Sequence, residues 1–356
     1  MAERILAINP GSTSTKIAVY AGCHEALTEN LSHSAEELAA FADIMAQIPY
    51  RLAKIRDILK HNGLSLRDFA AVVGRGGLLK PMLSGTYTVN TAMLDDLKNA
   101  RYGAHASNLG AILADLLAAE ASIPAYIVDP VVVDELDDVA RITGRPEITK
   151  RSIFHALNQK ATAKRFAHGI NRKYEDLNLI VAHLGGGISV GCHRQGRVVE
   201  VNNALDGEGP FTPERAGTVQ AGQFAALVFD RGLGKGDVAK MLAGKGGLVA
   251  CLGTNDAREV EKRIKDGDKE AETVYNAMIY QIARYIAAAA VSVCGKVDHI
   301  ILTGGIAYSE YLTAKLKEYV AFIAPVTVAP GENELQALAE GALRVLVGEE
   351  QPREYR

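Results

Sequence analysis

The sequence lacks the features that would place it in several specialised classes of protein. Its four cysteines lie far apart without a C-x-x-C pair, which argues against a disulfide or zinc framework and indicates free thiols in a reducing compartment. The formal charge of -3 leaves no basic surplus for a nucleic-acid backbone. The N-terminus has no long apolar segment before a cleavage site, and no apolar run suits a membrane span. We therefore expect a cytoplasmic protein with neither nucleic acid nor membrane as a partner.

No linker rich in Pro or Ser divides the 356 residues, yet the two halves carry the same order of elements. Residues 4–22 predict a strand, a polar turn and a second strand, and residues 178–201 predict the same pattern with a third strand after it. Asn9 and His183 occupy matching places in these two patterns, about half a chain length apart. Residues 101–120 also have helical spacing and predict a helix.

Both halves also end in the same way. FAAVVGRGG (69–77) and HIILTGGIA (299–307) each predict a strand that runs into a Gly pair. The sequence therefore predicts an α/β fold of two duplicated domains that flank an interdomain cleft, where ligands usually bind. We expect an N-terminal α/β domain over residues 1–155, joined by a C-terminal helix over 334–356. Residues 156–333 would form a C-terminal, nucleotide-binding α/β domain.

The first polar turn combines residue types that bind phosphate. Gly11 lets the backbone approach a ligand closely, Ser12 and Ser14 offer hydroxyl donors, and Lys16 supplies a point charge. The string G-x-x-x-x-G-K-[ST] of the common phosphate loop does not occur in the chain. Because Ser and Thr are also frequent in hairpin turns, this turn alone leaves a purely structural role open.

Two further glycine turns follow strands. Gly185, Gly186 and Gly187 could form a nest of backbone N–H groups for an anion, although a plain turn would look the same. The Gly pair of TGGIA (303–307) lies at a strand-to-helix junction, where a nucleotide can approach the backbone without interference from a Cβ atom. Three such turns at strand ends of a duplicated fold favour a phosphate-bearing ligand.

Together these motifs resemble one known family. N-P-G-S-T-S-T-K, H-L-G-G-G and T-G-G-I are similar to the two phosphate motifs and the adenosine motif of the acetate and butyrate kinases, the acetokinase family. That family shares its ribonuclease H-like domains with actin, sugar kinases and heat-shock ATPases, and the resemblance covers essentially the whole chain. Pro10, the second glycine of H-L-G-G-G and the Arg75-Gly-Gly stretch resemble the butyrate kinases in particular.

The resemblance implies reversible transfer of the γ-phosphoryl group between ATP and butyrate or a similar short-chain carboxylate, with Mg²⁺, giving an acyl phosphate and ADP. It also implies a homo-oligomer, a dimer or larger. A carboxylate is ionised at neutral pH, so its attack needs no general base. Catalysis should come from positioning and from cationic stabilisation of the phosphoryl oxygens.

The resemblance assigns roles to individual residues. The catalytic residues it implies are Arg215 in FTPERAG, His155 in RSIFHAL, Arg75 in VVGRGG and Asp129 in YIVDPVVVD. His105 and Arg75 would bind the substrate. Asn9, Asp129 and Glu334 would bind the metal, with Glu332 as the alternative glutamate. The residues expected to bind the nucleotide are Asn9, Ser12, Ser14, Lys16, His183, Gly185, Gly186, Gly187, Asn255, Asp256, Arg258, Gly304, Gly305 and Ile306.

Two positions depart from the acetate kinase pattern. Val72 stands where those enzymes carry their other catalytic arginine, a few residues before Arg75. Ala257 replaces a large residue beside the expected adenine site.

Other functions remain open from the residues alone. A sugar or polyol kinase could use Asp129 as a general base, although two arginines suit an anionic acceptor better. An actin-like ATPase switch would share the glycine turns without needing Arg215 or His155. Among acids, one CH₂ group is worth only about 0.8 kcal/mol, so acetate, propionate and branched acids stay alternatives to butyrate.

Overall fold

The computed structural model describes residues 3–356. The chain divides into two compact units, each with its own sheet packed against helices. The first unit comprises the chain up to Val133 together with Asn333–Arg356, and the second is Asp134–Glu332. Within residues 3–356, none of the helices combines the length and the apolar character that crossing a bilayer requires.

The described residues form twelve strands and thirteen α-helices. The strands are β1 (Arg4–Pro10), β2 (Ser14–Ala21), β3 (His24–Ser32), β4 (Ala71–Arg75), β5 (Thr86–Thr88), β6 (Ala125–Val128), β7 (Asn178–Leu184), β8 (Ile188–Arg194), β9 (Arg197–Val201), β10 (His299–Gly304), β11 (Val326–Pro330) and β12 (Arg353–Glu354). The α-helices are α1 (Ala35–Ala39), α2 (Ile48–His61), α3 (Thr91–Lys98), α4 (Asn108–Ala121), α5 (Asp138–Arg141), α6 (Ala156–Gly169), α7 (Ala221–Asp230), α8 (Lys235–Leu242), α9 (Gly247–Leu252), α10 (Ala257–Lys265), α11 (Lys269–Ala289), α12 (Glu310–Val320) and α13 (Glu334–Leu346). Short 3-10 helices lie at Met45–Gln47, Leu66–Asp68, Tyr174–Asp176, Ala290–Val293 and Gly305–Tyr308.

The sheet of the first unit has the strand order β12-β5-β6-β4-β1-β2-β3. Strands β1, β2 and β3 are antiparallel neighbours, whereas β4 runs parallel to β1, and β6 runs parallel to β4. The carboxyl ends of β1, β4 and β6 therefore meet at one edge of the sheet. Asn9, Arg75 and Asp129 lie at or directly after these three strand ends.

The sheet of the second unit repeats this arrangement in the order β11-β10-β7-β8-β9. Strands β7, β8 and β9 are antiparallel neighbours, and β10 and β11 continue the sheet in parallel beyond β7. Strand β7 has the same length as β1, and His183 is its last residue but one, as Asn9 is in β1. The duplicated α/β fold predicted from the sequence is confirmed, and the predicted cleft stays a prediction.

Each unit has its own hydrophobic core. In the first unit, buried residues of β1 such as Leu6 and Ile8 belong to a cluster that includes Leu109 and Ile112 of α4. In the second unit, residues such as Ile180 of β7 and Leu302 of β10 share a cluster with buried residues of α11. Strands that are apolar on both faces form because both faces are covered.

The compact units differ from the predicted domain limits over residues 134–155, which lie in the second unit. Contacts within that unit explain this. The backbone N–H of Asp137 donates to the carbonyl of Val199 at 3.0 Å, and the buried ammonium group of Lys160 donates to the carboxylate of Glu135 at 2.6 Å.

Two helices are shorter than predicted. The helix expected over 334–356 ends at Leu346, and Arg353–Glu354 pairs with β5 beyond a left-handed Gly348. The helix expected over 101–120 begins only at Asn108, so that prediction was wrong in its first part. The reason is a turn in which Gly103 has a φ of 120° and its carbonyl accepts from the side chain of Asn108.

Candidate functional site

The first polar turn joins β1 to β2 and is closed by its own backbone. The N–H of Gly11 donates to the carbonyl of Ser14 at 2.8 Å. Ser12 is exposed and Ser14 is half-buried. Lys16 is also exposed, and its place in β2 is directly opposite Asn9 of β1. The turn therefore presents the predicted phosphate-binding groups, with Lys16 as a solvated cation.

The buried cation beside this turn is Arg51 of α2, which the sequence reasoning missed. Its side chain is fully buried, and its guanidinium group donates to the hydroxyl of Thr15 at 2.8 Å and to the carbonyl of Ser14 at 3.0 Å. Gln47, one helical turn earlier, accepts two further hydrogen bonds from the same group. Burial lowers the pKa of Arg51, but a guanidinium keeps its charge at neutral pH. Arg51 thus stabilises the turn through hydrogen bonds and places a buried positive charge beside it.

Asn9, Arg75 and Glu334 form one cluster in the first unit. The amide Nδ2 of Asn9 donates to Oε2 of Glu334 at 2.6 Å, and Nη1 of Arg75 donates to the same oxygen at 2.7 Å. Nη1 of Arg75 also approaches Oδ1 of Asn9 at 3.4 Å. The parallel pairing of β1 with β4 places the first two residues side by side, and Glu334 is the first residue of α13.

The donor set of this cluster suits Mg²⁺, which favours oxygen ligands and usually combines one or two carboxylates with water and phosphate oxygens. Glu334 offers a carboxylate and Asn9 an amide oxygen. Within residues 3–356, no group of three His, Cys, Asp or Glu side chains is arranged to hold a metal ion. A magnesium ion at these residues would therefore rely on phosphate and water for its other ligands.

Asp129 and His105 lie in the same unit but make other contacts. Asp129 is buried with a left-handed φ of 38°, and its Oδ1 accepts from the hydroxyl of Ser84 and the N–H of Gly85, at 2.6 and 2.8 Å. Partial burial, and after it the charge of Arg75, lower the pKa of His105. Nδ1 of His105 accepts from the N–H of Ser107, so the neutral ring carries its proton on Nε2.

In the second unit, Arg215 lies against the glycine turn between β7 and β8. A Cβ atom at Gly187 would overlap the guanidinium group of Arg215, so only glycine lets the two approach. Nη1 of Arg215 donates to the carbonyl of Ala204. The hydroxyl of Thr212 accepts from the N–H of Arg215 at 3.1 Å and donates to the carbonyl of Gly186 at 2.5 Å. Thr212 therefore joins the arginine loop to the glycine turn.

His155 and His183 stack, with ring centroids 3.8 Å apart and ring planes 8° from parallel. Asn158 donates through Nδ2 to the carbonyl of Glu332 at 2.8 Å, so its Oδ1 must be the atom that faces Nδ1 of His183 at 2.9 Å. His183 is therefore a donor at Nδ1. Its Nε2 lies 3.5 Å from the carboxylate of Glu332, which belongs to this unit, whereas Glu334 belongs to the other.

A cavity of about 760 Å³ lies in the second unit beside the glycine turn. Its lining includes most of the residues predicted to bind adenosine: Asn255, Asp256, Arg258, Gly305 and Ile306, with Gly186 of the glycine turn. Gly304 precedes them with a φ of 92°, and a Cβ atom there would overlap the backbone of Leu184. The close pairing of β10 with β7 thus depends on glycine at this position.

Three glutamates in the lining were not found from the sequence. Glu214, Glu261 and Glu310 line the cavity, and Glu214 accepts from the amide of Asn255 at 2.6 Å. Hydrogen bonds from Arg258 hold the pKa of the Asp256 carboxyl at about 2, so that group is ionised at neutral pH. Such a lining repels phosphates and suits ribose hydroxyls or the amino group of a base. Glu214 could have been predicted from the sequence, because it directly precedes Arg215.

Comparison with known families adds an independent finding. Residues 146–322 match the model described as the acetokinase family. The match covers just under half of the chain and shows a similarity to that family over these residues. His155, His183 and Arg215 lie inside the matched range, as do the predicted adenosine residues, whereas Asn9, Arg75 and the other predicted residues of the first unit lie outside it.

Solved structures resemble the chain over nearly its whole length. Acetate kinase from Porphyromonas gingivalis has a TM-score of 0.76 at 18% identity, with 96% of this chain and 99% of that chain covered. Propionate kinase from Francisella tularensis has a TM-score of 0.73 at 20% identity, with 95% and 98% covered. Acetate kinase from Entamoeba histolytica has a TM-score of 0.74 at 18% identity, again with 95% and 98% covered. At identities of 18–20%, this structural similarity establishes the fold of the chain.

Proposed function

We propose that the protein is a Mg²⁺-dependent kinase that transfers the γ-phosphoryl group of ATP reversibly to a short-chain carboxylate, with butyrate or a branched neighbour preferred. The observation that carries the proposal is a continuous arrangement within the second unit. Gly186 lines the acidic cavity, and the next residue, Gly187, lies against Arg215. A nucleoside in the cavity would direct its phosphates along the glycine turn toward the guanidinium group.

The reaction forms a bond between a carboxylate oxygen and the γ-phosphorus and breaks the bond to the β,γ-bridging oxygen, whose electron pair leaves with ADP. Arg215 stabilises the negative charge on the transferring group, and an arginine in this role contributes roughly 10³ to 10⁵ in rate. His155 adds a hydrogen bond. Arg75, helped by His105, binds the anionic acceptor.

Mg²⁺, when bound, would neutralise phosphate charge. Asn9 and Glu334 are the residues we propose to hold it, because they offer hard oxygen atoms and Arg75 orients the carboxylate. Asp129 would act indirectly, since its Oδ1 fixes the turn before β5.

The preference for butyrate is supported by sequence motifs alone: Pro10 in the first turn, the second glycine of H-L-G-G-G, and Arg75 before the Gly pair. Acetate or propionate is the second candidate, because the structurally similar enzymes carry those names. An acyl pocket that differs by one or two CH₂ groups separates such acids by only about 1–2 kcal/mol, so overlapping activities are expected.

The direct test measures acyl phosphate formation, trapped with hydroxylamine, in the presence of ATP and Mg²⁺. The acceptors are acetate, propionate, butyrate, isobutyrate and valerate, with glycerol as the polyol control. The proposal expects the highest kcat/KM with butyrate or isobutyrate. A maximum at acetate or propionate would transfer the assignment to those acids.

Two other outcomes would overturn the proposed reaction. Phosphorylation of glycerol, followed as ADP release without hydroxamate, would indicate a polyol kinase. ATP hydrolysis that no acid stimulates, with no hydroxamate formed, would indicate a nucleotide-driven switch. Both outcomes leave the glycine turns as nucleotide-binding elements.

A further inference from the structure

A chain of buried hydrogen bonds leads from the core of the second unit to His155. Oγ of Ser189, in β8, lies 2.9 Å from Nδ1 of His155. The same oxygen accepts from the amide Nε2 of Gln159 at 2.8 Å and from the backbone N–H of His155 at 3.4 Å. Two N–H donors already use the two lone pairs of the hydroxyl oxygen. The proton of Ser189 is therefore directed to Nδ1 of His155, which must accept.

The orientation of Gln159 is fixed by its other partners. Its Nε2 also donates to the backbone carbonyl of Ser189 at 3.0 Å, and a carbonyl cannot donate in return. Its Oε1 consequently faces Nε2 of His193 at 3.0 Å and accepts from it. Gly191 makes room for this arrangement, because a Cβ atom there would come within 2.6 Å of that oxygen.

His193 and Tyr174 anchor the far end of the chain. His193 is completely buried, and burial, followed by the charge of Lys160, holds its pKa well below the ordinary value. The ring is therefore neutral, with its proton on Nε2 toward Gln159. Nδ1 of His193 must accept, and the hydroxyl of Tyr174 at 2.7 Å is the donor. Each proton donated along this chain of hydrogen bonds thus points toward His155.

We infer that Ser189 and Gln159 are positioning residues that hold the neutral His155 ring with its proton on Nε2. His183, stacked on the same ring, is fixed with the opposite polarity, since its Nδ1 donates to Asn158. The hydrogen-bond donor of the His155 ring is then Nε2 and not Nδ1. That this donor serves the transferring phosphoryl group rests on the proposed function, whereas the tautomer itself follows from the contacts alone.

The tautomer can be measured directly in the wild-type protein. Long-range ¹H–¹⁵N correlation spectra of histidine-labelled protein at about pH 8, above the usual histidine pKa, distinguish protonated from unprotonated ring nitrogens. A His155→Gln variant identifies the signals of His155 by their loss. The inference expects a protonated Nε2 and an unprotonated Nδ1. A protonated Nδ1, or rapid averaging between the two forms, would overturn it.

Variants then test the positioning role. Ser189→Thr keeps the hydroxyl and should keep the tautomer and kcat, whereas Ser189→Ala should allow the Nδ1–H form and lower kcat by roughly 10-fold with little change in KM. Gln159→Glu replaces a donor by an ionised acceptor, so the Ser189 hydroxyl should turn away and His155 should become protonated at Nδ1. An unchanged His155 spectrum and kcat in both Ser189→Ala and Gln159→Glu would contradict the inference.

The experiments distinguish a failure of the proposed function from a failure of the inferred His155 tautomer. If the wild-type protein forms no acyl phosphate but His155 carries its proton on Nε2, the proposed function is wrong and the inferred tautomer stands. If acyl phosphate forms while Nδ1 of His155 is protonated, the inferred chain is wrong and the proposed function stands. A variant that does not fold leaves the wild-type spectrum to decide.

Discussion

Arg75 donates to the carboxylate of Glu334 at 2.7 Å, which joins a proposed catalytic cation and a proposed metal ligand in one ion pair. Both side chains are largely but not fully buried, with 26% and 17% of their surfaces exposed. Asn9 completes the group through its hydrogen bond to the same oxygen. The carboxylate is thus oriented before any ligand arrives, and this orientation makes Glu334, and not Glu332, our metal-binding glutamate.

We expect Glu334→Gln to raise the Mg²⁺ concentration required for half-maximal activity by roughly 10- to 100-fold, the range found when groups that support a metal site are removed. Glutamine keeps the shape of the side chain but loses its charge. The matched control is Glu332→Gln, which changes a half-exposed carboxylate beside His183 and should shift the Mg²⁺ requirement by less than about 3-fold. The measurement is a Mg²⁺ titration of initial rates at saturating ATP. The opposite ranking of the two variants would assign the role to Glu332.

Arg215→Ala should lower kcat by roughly 10³-fold or more, because the guanidinium group beside Gly187 would no longer stabilise the transferring group. ATP affinity, measured by calorimetry, should change only a few-fold. Arg258→Ala is the comparison: this exposed side chain lines the cavity and pairs with Asp256. It should weaken ATP binding and leave kcat nearly unchanged. Near-normal turnover in Arg215→Ala would exclude the catalytic role that we assign to this residue.

The fold was predictable because its signals are local. Strands β1, β2, β7 and β8 are apolar runs interrupted by glycine turns, and such runs read directly as strands. The duplication followed from two copies of one pattern, the first beginning at Arg4 and the second at Asn178. The beginning of α4 was not predictable from the same signal. Helical spacing continues through residues 101–107, but Gly103 adopts a conformation that ends any helix.

The site was predictable only where one short motif carries it. The Gly186 turn and the Asn255 stretch could be found in this way, and both line the cavity. Arg51 could not, because it lies 36 residues from Thr15, and helix α2 shows only an ordinary amphipathic pattern. Gln159 is likewise 30 residues from Ser189. Contacts of this kind depend on how a helix packs on a sheet, which no local pattern specifies.

His193 should make stability depend on pH. Its folded-state pKa lies well below the ordinary value of 6.5, because burial and the charge of Lys160 oppose protonation. As the pH falls below about 6.5, the unfolded chain binds a proton that the folded protein does not. The free energy of unfolding should therefore decrease on acidification, by up to about 1.4 kcal/mol per pH unit, until the folded-state pKa is reached.

Urea unfolding between about pH 8 and pH 5 measures this slope. His193→Gln should make it shallower, since glutamine binds no proton in either state. His168→Gln, which changes an exposed histidine of the same unit, should leave the slope as it is in the wild-type protein. Equal slopes in all three proteins would mean that His193 does not contribute.

Replacing Arg51 should destabilise the turn between β1 and β2. Arg51→Met would take one donor from the Thr15 hydroxyl, which keeps its contact with His33, and one from the Ser14 carbonyl, which keeps the N–H of Gly11. It would also remove both hydrogen bonds that Oε1 of Gln47 accepts from Arg51, and a hydrogen bond to a charged group is worth about 1.5–3 kcal/mol. We expect the free energy of unfolding to fall by about 2–4 kcal/mol, with faster hydrogen exchange at the backbone of the turn. Arg56→Met, on the same helix, removes an exposed pair with Glu120 and should cost less than about 1 kcal/mol. If the two variants were equally stable, Arg51 would not be what holds the turn. The geometry that we propose for phosphate binding would then have to depend on the backbone of Gly11 and its neighbours alone.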